Sequence, residues 1–191
     1  MKTTVDGFLI PESGNQEELI KAAEHKSKIA GYLQEMCNKY GDFKVAISRK
    51  QKDGTVSWTK HHSVMELWEK GEKGRWFLAN ANHRQLLPIE IVLDLDENPT
   101  LEQMNNICEE LEKSGWRYQA YFTGSRGYHI HIQNNKLFSL NKRLKEQYRL
   151  NIILEYRADC HKKNDVMIAI ENTSHWKTGK VKTLLRQYPK W

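Results

Sequence analysis

The chain is expected to fold as an α+β (α/β) protein, with a β-α-β-β-α-β module following a smaller N-terminal α/β module. Three observations predict this. Short runs alternate apolar and polar residues between turn signals, and other runs carry apolar residues at helical spacing. From Pro88 onward the two kinds of run succeed one another in regular order. The 191 residues are 39% hydrophobic, enough for one good core or two small modules that share a cleft.

The first element reads as a helix. Asn15 is placed as its N-cap with Glu18 three residues on, Leu19, Ala23, Ile29, Leu33 and Met36 recur on one face, and Gly41 sits where the chain turns out. "FKVAISRK" and "TVSWTK" alternate around "KDG", a hairpin signal. Ser63 and Glu66 box the start of a brief helix, "VMELWEK", and "RWFLANAN" reads as another strand. Residues 1–87 make up this first module and residues 88–191 the second.

In the second module "IEIVLDLD" is a strand, and Thr100 with Gln103 caps the helix "LEQMNNICEELEK", which Gly115 closes. "RYQAYFT" and "YHIHI" are strands around the tight "GSRG" turn. "LNKRLKEQYRLNIILEYRA" is the second helix, with Leu140, Leu144, Tyr148 and Ile152 at helical spacing, and "DVMIAIE" is the last strand. This is the ferredoxin-like (RRM-like) order, which sets the first and third strands side by side with both helices on one face.

Parity then sorts the side chains. Ile91, Leu93 and Leu95 point to the helices with Tyr128, Ile130 and Ile132, whereas Asp94, Asp96, His129 and His131 fall on the other, open face. Two carboxylates one strand-step apart repel each other and lose hydration, so a cation is expected to face them. They can share one divalent ion or bracket a pair about 3.5 to 4 Å apart, the arrangement that serves nucleotidyl transfer, and oxygen ligands suit Mg²⁺ or Mn²⁺.

Composition excludes several other classes. Cys37, Cys108 and Cys160 are odd in number and widely spaced, which argues against a disulfide framework or a zinc ribbon. No apolar run approaches the roughly 20 residues of a membrane span, and "MKTTVDGFLIPESG" lacks the pattern of a signal peptide, so an intracellular (cytoplasmic) protein without a membrane partner is expected. A net charge of +6 permits a polyanionic partner without requiring one.

The motifs in order resemble those of the archaeo-eukaryotic primase superfamily, the catalytic core of primase small subunits and primase-polymerases. "IVLDLD" (91–96) is similar to its hhhDhD strand, "FTGSRGYHIHI" (122–132) to its S/T-G-x-R-G-x-H segment, and "TSHWKTGK" (173–180) to its late S-x-H-x-K-T-G stretch. The resemblance implies an active site in the cleft between the two modules. It implies Asp94 and Asp96 as catalytic metal ligands, with Thr123, Ser125, Arg126 and His129 gripping the incoming nucleotide and His175 and Lys177 adding phosphate contacts. For the third metal carboxylate it implies Asp159, with Asp165 a second acidic position, while strand parity nominates Glu171 if the last strand pairs beside the first. The activity implied is template-directed transfer from an NTP or dNTP with two Mg²⁺ or Mn²⁺ ions. The partners implied are single-stranded DNA template and primer, and a primase large subunit, helicase or other replication protein.

Two other readings use the same residues. "HIH" is also the metal motif of replication-initiator and relaxase nucleases, but Tyr148 is followed by "RLN" and Tyr156 by "RAD", so the expected tyrosine–lysine pair is not found. A non-catalytic RRM-like nucleic-acid-binding module would need aromatic residues on the open face, where parity places acids and histidines.

Overall fold

The structure, a computed structural model, describes residues 4–5, 8–9, 15–96, 98–160, 166–175 and 177–189. The chain divides into two compact units, one of residues 1–48 and 58–81, the other of residues 49–57 and 82–191.

The first unit begins with the short antiparallel pair β1 (Thr4–Val5) and β2 (Phe8–Leu9). Helix α1 (Gln16–Tyr40) follows, its Asn15 side chain accepting from the Glu17 N–H at 3.2 Å, and Gly41, at φ 88°, closes it by donating to the Cys37 carbonyl. Ala23, Ala30, Leu33 and Cys37 on its inner face are buried. Strand β3 (Lys44–Ala46) belongs to the first unit, whereas β4 (Ser48–Lys50) and β5 (Val56–Trp58), most of whose residues are assigned to the second, pair with each other across the expected turn at Gly54. Strand β6 (His62–Ser63) pairs with β3, and Ser63 caps α2 (Val64–Glu69) by accepting from the Glu66 N–H at 3.0 Å.

The "RWFLANAN" segment corrects the expected strand: it lies in helix α3 (Glu72–Asn80) and the turn after it. Gly74 and Leu78, four residues apart, are both buried, the spacing of one helix face. A Cβ on Gly74 would lie 1.6 Å from the Leu67 carbonyl oxygen of α2, so the glycine lets the two helices touch at the backbone. Packing overrides the strand propensity of the aromatic run.

The second unit carries β7 (His83–Gln85), β8 (Glu90–Leu95), α4 (Leu101–Lys113), β9 (Arg117–Phe122), β10 (Tyr128–Gln133), a 3₁₀ turn over Asn135–Ser139, α5 (Lys142–Glu155), β11 (Met167–Ala169) and β12 (Thr183–Tyr188). The capping box at α4 forms as expected, with Gln103 N–H donating to the Thr100 hydroxyl at 3.1 Å and Thr100 N–H to the Gln103 side chain at 2.7 Å. Strand β10 lies antiparallel between β8 and β9, so the first and third strands of the ferredoxin-like set are indeed neighbours.

The sheet departs from expectation at the last strand. Strand β11, from "DVMIAIE", pairs antiparallel with β7 rather than beside β8, and the far edge of the main sheet is taken by β12 on β9. On one face Ile91, Leu93, Ile130 and Ile132 pack with Met104, Cys108 and Leu111 of α4 and Ile153 of α5. Arg149 of α5 is buried and donates to the Glu90 and Leu87 carbonyls at 2.9 and 2.8 Å, tying the helix to the start of β8. The other face is also covered, by Leu86 and Ile168 against Val92, which corrects the expectation of an open face.

The Gly74→Ala variant tests the helix contact. Its added methyl is expected to cost about 1–3 kcal/mol through overpacking, measured as a lower urea midpoint with an unchanged slope.

Candidate active site

Antiparallel register places His129 directly opposite Asp94 and His131 opposite Val92. His129 Nε2 lies 3.3 Å from Asp94 Oδ1, a long contact that falls short of a well-aligned hydrogen bond. Both side chains are buried, and burial, with the nearby Lys182 charge, holds the His129 imidazole down to about 4 against the opposing pull of Asp94, so the ring is neutral at pH 7.

Asp96, one strand-step on, is exposed. Asp159 reaches the pair because the backbone beyond α5 runs along the free edge of β8, its N–H donating to the Asp94 carbonyl at 3.0 Å. Each of Asp94, Asp96 and Asp159 can offer one carboxylate oxygen, the three within 4.8 Å of one another. They line a cavity of about 720 Å³ together with Gln103, Asn106 and Arg157. An all-oxygen set of three carboxylates fits a hard divalent cation such as Mg²⁺ or Mn²⁺. Asp165 lies outside the described residues.

A second triad, Glu90, His131 and Glu171, also brings its ligand atoms within 4.8 Å of one another but differs in its neighbours. Arg84 takes both oxygens of Glu90 at 2.7 and 2.8 Å and both of Glu171 at 3.2 and 2.8 Å. Lys182 Nζ stands 3.6 Å from Glu171 and 2.9 Å from both His131 Nε2 and the Ala169 carbonyl. Two carboxylates thus face two cations, and protein charges already fill the place a metal would take. Burial would raise the glutamates, but the Arg84 guanidinium, with His131 for Glu90 and Lys182 for Glu171, holds both well below the usual carboxylate range. Glu171 is thereby drawn into this cluster rather than to the aspartates, and the pairing beside β8 on which its nomination by parity depended does not form.

The turn between β9 and β10 approaches the acids through glycine. A Cβ on Gly127 would lie 2.5 Å from the Leu95 carbonyl and 3.1 Å from Asp96 Oδ1. Thr123 is buried and spends its hydroxyl on the Gly127 carbonyl at 3.1 Å, closing the turn, whereas Ser125 is half-buried and Arg126 exposed at its tip. On the other side of the turn, a Cβ on Gly124 at φ +84° would meet the Lys180 carbonyl at 2.5 Å and His175 Cβ at 3.1 Å. The third motif therefore seats on the second: Thr178 donates to the Gly124 carbonyl, and His175 and Lys180 are joined by a backbone hydrogen bond of 2.8 Å. Burial and the Lys177 charge lower the His175 pKa, and its Nδ1 accepts from the Lys177 N–H at 3.3 Å. Lys177 itself is exposed.

Sequence reasoning missed Arg84, Glu90 and Lys182. Glu90 was accessible to the parity argument, being four residues before Asp94 and so on its face. Nothing local marks Arg84 or Lys182, whose neighbours come from distant segments.

The Arg84→Leu variant leaves two buried carboxylates with too little counter-charge. A loss of about 3–5 kcal/mol is expected, read as a lower denaturant midpoint. Acidification acts in the same direction. His131 is held low chiefly by burial and by Lys182, so its contribution is present above its unfolded pKa of about 6.5 and is lost as pH falls below it. The two depressed glutamates add a further loss below about 4.3. The melting temperature should therefore fall on acidification from about pH 6.5, and a flat profile to about pH 4 would contradict the cluster's charges.

A scan of known family models and a search of curated proteins each find no match to this sequence. Among solved structures, the chain is similar to the polymerase domain of Mycobacterium tuberculosis ligase D in complex with DNA, with TM-score 0.60 and 13% identity over 98% of this chain and 90% of that one. It is also similar to primase RepB′, with TM-score 0.52 and 12% identity over 86% of this chain and 57% of that one. The fold is therefore of the primase/polymerase type.

Proposed function

We propose that this protein is a nucleotidyltransferase of the archaeo-eukaryotic primase kind, a DNA primase/polymerase that joins an NTP or dNTP to a 3′-hydroxyl on a single-stranded DNA template. The observation that carries the reading is the meeting of three motifs distant in sequence: Asp96 against Gly127, and Gly124 against His175 and Lys180. Carboxylates and a basic, glycine-containing turn are thus brought side by side, as transfer of a polyphosphate requires. The neighbouring structures support the reading, since one is a polymerase domain in complex with DNA and the other a primase.

In this mechanism Asp94, Asp96 and Asp159 would hold the divalent ions. Such ions, when bound, would supply Lewis acidity toward the attacking hydroxyl and toward charge on the departing pyrophosphate. His129, neutral and buried, holds its ring against Asp94 and adds no positive charge to compete with the cations. Arg126 and Lys177, both exposed, reach outward as charged donors for phosphate oxygens, and Ser125 and His175 supply neutral polar groups between them. Thr123 acts indirectly, by closing the turn.

The histidine-pair nuclease reading loses support at His131. Its Nδ1 lies 2.7 Å from Glu90 and its Nε2 2.9 Å from Lys182, so neither nitrogen is left to hold a metal. Stacking of bases on the sheet also loses support, since Tyr121, which shares that face among the described residues, is buried.

The test incubates the protein with primed and unprimed single-stranded DNA, labelled nucleotides and Mg²⁺ or Mn²⁺. Wild type should lengthen the product, and Asp94→Asn and Asp96→Asn should each lower the rate by at least about 10³-fold with the fold retained. Undiminished synthesis in both variants, or a nicked strand joined to protein, would replace the reading.

A further inference from the structure

The buried charge cluster joins two things the chemistry needs together. Residues 171–175 and 177–182 lie on a hairpin whose two arms are joined by backbone hydrogen bonds and which carries His175 and Lys177 toward its tip. Its stem is closed by Asn172 N–H donating to the Lys182 carbonyl at 3.1 Å and Lys182 N–H to the Thr173 carbonyl at 3.0 Å, with a bridge between Ser174 and Val181 beyond. Glu171 and Lys182 at the two ends of the stem both turn their side chains into the cluster. There Arg84 binds Glu171 and Glu90 together, and Lys182 meets His131. Glu90 lies on the strand of Asp94, and His131 on the strand of His129.

We propose that Lys182, Glu171 and Arg84 are positioning residues that clamp the hairpin to strands β8 and β10, so that His175 and Lys177 stand in register with the carboxylates when a nucleoside triphosphate binds. The proposal rests on the nucleotidyl-transfer reading for the role of the hairpin tip. None of the three touches substrate, since all are buried.

Charge is what makes the clamp directional. Apolar residues of similar volume would stabilise such a stem as well or better, but hydrogen-bonded ion pairs accept one arrangement of their partners. Removing the lysine charge leaves two buried carboxylates against one guanidinium, which the stem can relieve only by opening to water. Lys182 Nζ is faced by Glu171, the neutral His131, the Ala169 carbonyl and the Tyr121 ring at 4.9 Å, with Arg84 and Glu90 beyond. Burial, and then Arg84, holds the lysine down to about 8 against the two glutamates, so it carries its charge at pH 7 and loses it above pH 8.

The test compares wild type with Lys182→Met and Lys182→Arg by hydrogen exchange of the hairpin, by nucleotide and Mn²⁺ affinity, and by steady-state kinetics. Lys182→Met should speed exchange in residues 172–182 while β8 and β10 stay protected. It should also raise nucleotide Kd and KM by about tenfold or more, with kcat and Mn²⁺ affinity little changed, and Lys182→Arg should recover part of the loss. Unchanged hairpin exchange, or parallel loss of nucleotide and Mn²⁺ affinity, overturns the clamp.

Should Lys182→Met not fold, wild type decides alone: between about pH 7 and about pH 9 nucleotide affinity falls several-fold and hairpin amides lose protection relative to those of β8 and β10, and constancy of both overturns the proposal. A wild-type protein that binds no nucleotide at all removes the proposed function and the positioning role with it. Normal wild-type binding with an unmoved hairpin in the variant removes the clamp alone.

Discussion

The antiparallel register of β8 on β10 is the constraint on which the remaining geometry depends. Side chains on a strand alternate with period two, so a one-residue slip would carry Asp94 and His129 into the apolar core and Leu93 and Ile130 out of it. The apolar face fixes the register by burying Ile91, Leu93, Ile130 and Ile132 under α4 and α5. The polar face inherits its alignment from that burial, and the position of Asp94 opposite His129 is a consequence of hydrophobic packing on the reverse side.

Electrostatics then divides that polar face into two regions. Glu90, His131 and Glu171 resemble a metal site in composition, as do Asp94, Asp96 and Asp159. The first group is closed, because Arg84 and Lys182 reach it through the interior and balance its charge where water cannot. The second opens onto a cavity at the strand end, and Asp96 is exposed there. Distance alone does not separate a ligand set from an ion-pair network; the origin of the neutralising charge does.

Glycine brings the motifs into contact. Gly127 and Gly124 stand where a side chain would strike the backbone of Leu95 on one side and Lys180 on the other. The spacing "TGSRG" therefore encodes two close approaches, one to the acidic strand and one to the late hairpin, in addition to a tight turn. Thr123 serves the same end by hydrogen bonding within the turn. Polar residues of a motif thus divide their labour: some face outward, and others hold the frame.

Much of this was legible in the chain. Helix caps at Asn15, Ser63 and Thr100, the hairpin at Gly54, and the two faces of "IVLDLD" and "YHIHI" follow from interactions within a few residues, and local chemistry determines them. What tertiary structure decided involves partners far apart. The "RWFLANAN" run became helical because Gly74 could meet α2, and β11 left the main sheet to pair with β7. The face expected to be open was buried, and Arg84 and Lys182 became counter-charges to residues up to 87 positions away. Local sequence sets periodicity, capping and turn conformation, whose energies are short-ranged; burial and charge compensation depend on which distant segments share a low-dielectric space, and only the folded chain supplies that.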